Sequence, residues 1–195
     1  MGYAVSWLAF DGADHGTVLR RIGVSETSEP GRIGEAKFLG GVLPTGWFLI
    51  AARGCDHALI GKDTLAIVSQ DRDVVACSIE EHVMYCSCAL WRDGNRQWLL
   101  QHRGDKSLSD LEVSGNAPPN LAALRADADA TQAREKDKAL TVDWYFELVA
   151  DLAKGMTGFR HDEETAKVSH ATLRQLSLEK DGLLSQVTRP WWKLW

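Results

Sequence analysis

Four side chains in one short stretch carry the chemistry of a soft metal site: His82, Met84, Cys86 and Cys88. They recur at every second residue, so on an extended strand all four project from one face. Imidazole, thioether and thiolate are the ligands that suit copper(I) or zinc. Glu80 shares that face, and Glu81 takes the other. The spacing argues against convergence, because same-face neighbours on a flat strand stand too far apart to close on one ion at about 2.0–2.3 Å. Zinc sites generally draw their close pair from a C-x₂₋₄-C turn, and the pattern here is C-x-C. Buried cysteine and methionine are also small, adaptable core residues. The core reading is preferred, and neither a bound metal nor a cofactor is expected.

A second cluster is Arg160-His161-Asp162-Glu163-Glu164. A histidine beside carboxylates can hold a metal or move protons. The simpler reading makes Asp162 the cap of a helix over Glu163–Leu178, with the glutamates favouring its positive N-terminus. Metal chemistry therefore stands as the alternative, in a metal-dependent enzyme or metal-binding protein using His82, Cys86 and Cys88, or His161 and Asp162. The sequence contains no phosphate-binding G-x-x-x-x-G-K-[ST] loop, no G-x-S-x-G elbow and no H-E-x-x-H helix. His82 and His102 have no partner visible in the sequence of the kind a nucleophile–base pair needs. No catalytic residue is assigned, and a non-enzymatic role is favoured.

The elements that must position these residues read as follows. Tyr3–Phe10 is a strand closing on Asp11-Gly12, and Thr17–Ile22 a short helix stopped by Gly23. Val24–Gly34 reads as a loop, Phe38–Val42 as a short strand weakened by Gly40-Gly41, and Trp47–Ala52 as a buried strand. A helix over Gly61–Gln70 lies between that strand and the next, which allows one parallel crossover. Val74–Trp91 reads as one long strand, turning at Asp93-Gly94, the strongest hairpin signal in the chain, into Gln97–Arg103. A two-residue turn there sets Trp98, Leu100 and His102 opposite the face of Val83, Tyr85, Ala89 and Trp91. Leu111–Val113 adds an edge strand. Arg125–Lys138, alanine and alternating charge, is a solvated helix extension or connector, and Asp143 caps an amphipathic helix ending at Gly155. The fold expected is α+β: a mainly antiparallel sheet with a central hairpin, and helices packed on it, concentrated in the C-terminal half. One domain is expected, strand-rich over 1–115 and helical over 116–195, with a Trp-rich tail.

The chain has 195 residues, 45% hydrophobic and 25% charged, with a formal net charge of −5. That affords a sizeable core and excludes wholesale disorder. No run rich in Lys or Arg offers a footprint for nucleic acid. The N-terminus lacks the basic and long apolar regions of a secretory signal, and no apolar run reaches the roughly 18 residues of a membrane span. Four cysteines at this spacing fit reduced thiols in a cytoplasm.

The block Val74–Met84, the Trp91-Arg-Asp-Gly94 turn with Trp98 and His102, and Gly158-Phe-Arg-His-Asp162 resemble a set of small uncharacterised bacterial proteins. The resemblance covers about a third of the chain. It implies a bacterial cytoplasmic setting and carries over no catalytic residue. Size and acidity then favour a protein-binding module, of the toxin-immunity inhibitor or adaptor kind, whose partner is another protein, with no nucleic acid and no membrane. Oligomeric state is not legible.

Eight tryptophans support that reading, since Trp is enriched at interface hot spots. The partner-binding candidates are Trp191, Trp192 and Trp195, beyond the helix-stopping Pro190. Full burial of each large apolar side chain is worth roughly 1.5–3 kcal/mol, so the tail is expected to dock on its own domain. Truncation after Arg189 should then lower the melting temperature of the monomer. Unchanged stability with lost association would identify an interaction tail.

Overall fold

The strand that organises the sheet is β1 (Ala4–Asp11), buried from Val5 to Phe10. A strand without alternation of buried and exposed residues is covered on both faces. In this computed structural model, which describes residues 2–135, 142–163 and 173–187, β1 is the middle of nine strands. It pairs antiparallel with β4 (Trp47–Arg53) on one side and β5 (Val74–Glu80) on the other. The full order is β2 (Val24–Pro30), β9 (Arg174–Leu178), β3 (Phe38–Val42), β4, β1, β5, β6 (Tyr85–Arg92), β7 (Asn95–Arg103) and β8 (Glu112–Gly115). Every neighbouring pair is antiparallel; β4 and β5 run the same way with β1 between them, so the connection through the helix at Lys62–Val68 is the parallel crossover that the sequence allows.

One face carries Trp7, Leu49, Cys77, Cys88 and Leu100 beneath α3 (Leu121–Glu135) and α4 (Trp144–Thr157). The other carries Leu8, Phe10, Phe48, Ile50 and Trp91 beneath α1 (His15–Ile22), α2 (Lys62–Val68) and α5 (Leu183–Val187). The fold is α+β, with the longer helices in the C-terminal half. Leu121 and Ala128 are the buried residues of α3, so it is the solvated helix that its composition predicts.

Three elements differ from the sequence reading. Val24–Pro30 is a strand and not a loop. It is an edge strand whose residues after Val24 stay outside the core, so backbone pairing with β9 holds it and no apolar pattern marks it. The helix expected over Glu163–Leu178 is displaced: Arg174–Leu178 is β9, inserted between β2 and β3, and residues 164–172 lie outside the described part. The helical half therefore contributes a strand to the sheet. The third correction is the long strand, which folds back on itself. Glu81–Val83 form one 3₁₀ turn, Met84 takes φ 50° in the left-handed region, and β5 and β6 pair as a hairpin.

Gly40 of β3 has a packing reason. A Cβ on Gly40 would stand 2.9 Å from both the Leu49 carbonyl oxygen and Leu176 Cδ1, so a side chain there would push β3 off its neighbours.

The Asp93-Gly94 hairpin forms, but it joins β6 and β7 on the β8 side of the sheet and is not central as expected, since β1 holds the middle. Its turn residues take φ 50° and 72°, the positive pair of a type I′ turn. A bulge between Leu90 and Trp91 then shifts the register by one residue, pairing Trp98 with Leu90, Leu100 with Cys88 and His102 with Cys86. One residue of slip moves a whole side-chain set to the other face. Trp98, Leu100 and His102 thus share the face of α4, and not that of Tyr85, Ala89 and Trp91.

Replacing Gly94 by Val places a β-branched residue at positive φ and should cost about 1–3 kcal/mol. A urea midpoint equal to wild type would show that the turn does not constrain the fold.

Candidate functional site

The site is built by the C-terminal end of α4. Asp143 starts this helix, its Oδ1 accepting the Phe146 N–H at 3.1 Å, and Gly158 stops it in the left-handed region. Tyr145, Leu148, Val149 and Leu152 form the apolar face that presses on the sheet. The chain leaving Gly158 puts the Phe159 ring edge-on to Trp7, centroids 5.2 Å apart, which pins the next residues against the end of β1.

Arg160 and His161 follow, both buried. The Arg160 guanidinium meets three carboxylates: Asp162 at 2.7 Å, Asp151 at 2.6 Å and Glu147. Burial alone would lower its pKa, and the carboxylates of Asp162 and Glu147 more than reverse this, so it is a permanent cation. Asp162 is held below its ordinary carboxylate range: burial pushes it up, but the hydrogen bond from Arg160 outweighs that.

His161 donates or shares its Nε2 proton with Glu81 Oε1 at 2.8 Å, and its Nδ1 faces Asp162 Oδ1 at 3.8 Å. Glu81 comes from the turn between β5 and β6, and its Oε2 accepts the Tyr3 N–H at 2.8 Å. The Tyr3 ring stands edge-on to the imidazole at 5.5 Å. Ligand atoms of Glu81, His161 and Asp162 all lie within 4.8 Å of one another. A cavity of about 130 Å³ opens beside them, with Glu35, Arg32 and Glu163 also on its wall. Six carboxylates (Glu35, Glu81, Glu147, Asp151, Asp162 and Glu163) against Arg160, Arg32 and Lys154 leave this end of the molecule acidic.

Of the residues singled out in the sequence, His161 and Asp162 are brought together, with Glu81 as an unforeseen third. His82, Cys86 and Cys88 are not. His82 sits on the exposed turn against Glu80 Oε1 at 2.6 Å, while Cys86 and Cys88 point into the core under α4. Burial drives the Cys86 thiol well above its ordinary pKa, so it is a packing residue. Of the helix that Asp162 was expected to cap, residues 164–172 lie outside the described part and Arg174–Leu178 is β9; the described role of Asp162 is the Arg160 pair. Trp191, Trp192 and Trp195 also lie outside them.

The sequence reading missed the partner of His102, which is wholly buried on β7. Its Nδ1 bonds the Asp110 carbonyl at 2.7 Å and its Nε2 bonds Asp143 Oδ2 at 2.9 Å. A carbonyl and a carboxylate both accept, so the ring donates from both nitrogens as imidazolium. Burial pulls its pKa down, and the bonds to Asp143 and Asp110 raise it by more, leaving it above the usual histidine value. Only the bulge at Leu90 and Trp91 could have signalled this pairing.

A raised folded pKa gives stability that is full below about pH 6.5, the unfolded value, and is lost as pH rises through the folded one. Denaturation free energy should therefore fall on the alkaline side of pH 6.5, and a His102→Gln variant should lack that limb. Asp143→Ala removes both the cap and the ion partner and should cost about 3–5 kcal/mol by urea denaturation.

Comparison of the chain with protein-family models, with curated proteins and with solved structures finds no match, so function rests on this geometry.

Proposed function

We propose that the protein is a non-enzymatic binding module of the bacterial cytoplasm that presents the acidic end around Arg160 and His161 to a basic surface of a protein partner, as an immunity-type inhibitor or adaptor does. One observation carries this reading: Glu147, Asp151 and Asp162 converge on a guanidinium that is itself buried, yet each keeps part of its surface in water. The buried cation fixes the carboxylates in place, and their outer lone pairs remain for an incoming Lys or Arg. Such pre-set charge raises association rates and rejects acidic partners. The histidines of the described residues favour the same reading, because His15, His57, His82, His102 and His161 each already bond a backbone or carboxylate group. Cys55, the half-buried thiol, is raised in pKa by burial and bonded to Ser78, which suits a packing role and not a thiolate nucleophile. No described helix is long and apolar enough to cross a membrane.

The test is co-elution of the tagged chain with a stoichiometric basic partner from cells that make it. The complex should hold at about 50 mM salt and dissociate by several hundred millimolar, within the range where surface charge is screened. Asp151→Asn with Glu163→Gln should abolish it at an unchanged melting temperature. A chain that elutes alone at every salt concentration, or a partner retained in full by the double variant, would sink the proposal.

A further inference from the structure

We infer that His161 and Asp162 form the protein half of a divalent-cation site, of the zinc type, with Glu81 as the carboxylate that orients the histidine. Three features of the ring support it. Its side chain is 1% exposed, which holds the ring in one place. Its Nε2 is committed to Glu81 Oε1 at 2.8 Å, and an ionised carboxylate can only accept, so Nε2 carries the proton. Its Nδ1 takes no hydrogen bond among the described residues and looks across 3.8 Å to Asp162 Oδ1, where a metal ion would take the place of a proton. A metal-binding histidine almost always donates its other N–H to a carboxylate or carbonyl, which fixes the tautomer and raises ligand basicity. Glu81 fills that role and is itself tethered by the Tyr3 N–H.

The spacing suits the ion. Two ligands on a tetrahedral metal with bonds of about 2.0–2.2 Å lie roughly 3.3–3.6 Å apart, so a shift of a few tenths of an ångström closes the pair. Asp162 Oδ1 receives Arg160 Nε at 2.7 Å and keeps a second lone-pair site. The 130 Å³ cavity gives the ion its entry and room for water ligands. The charge also fits: Arg160 is outnumbered by Glu81, Glu147, Asp151 and Asp162, and a divalent ion would offset the excess. The set of one nitrogen with carboxylate oxygens and water suits zinc, whereas a soft-metal site would need the thiols, which are buried elsewhere.

The site shares Asp162 with the acidic end, but its test needs no protein partner. Chelator-dialysed protein carrying Cys55→Ser, which removes the half-buried thiol, is titrated with zinc chloride at pH 7 by calorimetry. One equivalent should bind, and His161→Gln and Asp162→Asn should each weaken it at least tenfold, with His82→Ala unchanged. Binding that ignores both variants, or no saturation at millimolar zinc, would overturn the site. Should either variant fail to fold, nitrogen-15 NMR of the wild-type His161 ring decides. A neutral ring protonated at Nε2, whose Nδ1 resonance shifts on adding zinc, is the expected result; a doubly protonated ring at pH 7, or an Nδ1 signal indifferent to zinc, refutes it.

Discussion

A single buried imidazolium sets the position of α4, and α4 sets nearly everything else on its side of the sheet. His102 reaches from β7 to the carboxylate that begins the helix, and the same Asp143 side chain caps the helix with its other oxygen. The ring's second nitrogen holds the Asp110 carbonyl, so β7, the loop before β8 and α4 meet at one charged group. Taking that ion pair out of water is costly, and it persists because each donor and acceptor finds a partner. Its value lies in placement more than in net stabilisation. With the N-terminus of α4 fixed, its apolar stripe falls on Cys86, Cys88 and Leu100, and its far end delivers Phe159, Arg160 and His161 to the end of β1.

The candidate site depends on a second strained element, the turn that offers Glu81. Met84 ends this turn at φ 50°, a conformation that costs a side-chain-bearing residue of order 1 kcal/mol or more. The surrounding chain holds it there: Gly104 donates its N–H to the Met84 carbonyl at 2.9 Å, and a Cβ on Gly104 would approach Met84 Cβ to 2.6 Å. The missing side chain at Gly104 thus lets β7 pass close enough to brace the turn. Glu81 in turn ties the turn to Tyr3 and His161, so three segments distant in sequence are locked by one carboxylate.

Much of the fold was legible because strong local signals agreed with the tertiary outcome. Trp47–Ala52, the Asp93-Gly94 turn and the Asp143-capped helix each combine an apolar pattern with the right punctuation. What escaped reading had no such signal. β2 is nearly all polar and β9 follows a weak pattern, since both are held by backbone ladders on the edge side of the sheet. Glu81-His82-Val83-Met84 has no Gly, Pro or Asn, so the sequence pattern runs through the hairpin there as one continuous strand. That continuity puts His82 with Cys86 and Cys88 and puts Glu81 on the opposite face from any partner. At the site itself His161 and Asp162 were visible as neighbours in sequence. Their tie to Glu81 crosses 80 positions and leaves no local trace.

The bulge in β7, where Gln97 is the extra residue, links these points. Without it, the two-residue turn would carry the register straight through and point His102 toward the face of α1 and α2, leaving Asp143 with no cation. The same slip brings Trp98 and Leu100 under α3 and α4, so a single extra residue supplies both the apolar floor and the charged anchor for that layer. Bulges are tolerated where they re-aim a side chain. Here the re-aimed side chain is the one that positions α4, and through α4 the pair of buried residues, Arg160 and His161, on which the acidic end is built. The site residues themselves lie on two turns, one after Gly158 and one at Glu81, and their ties to α4, to Tyr3 and to each other hold them in place.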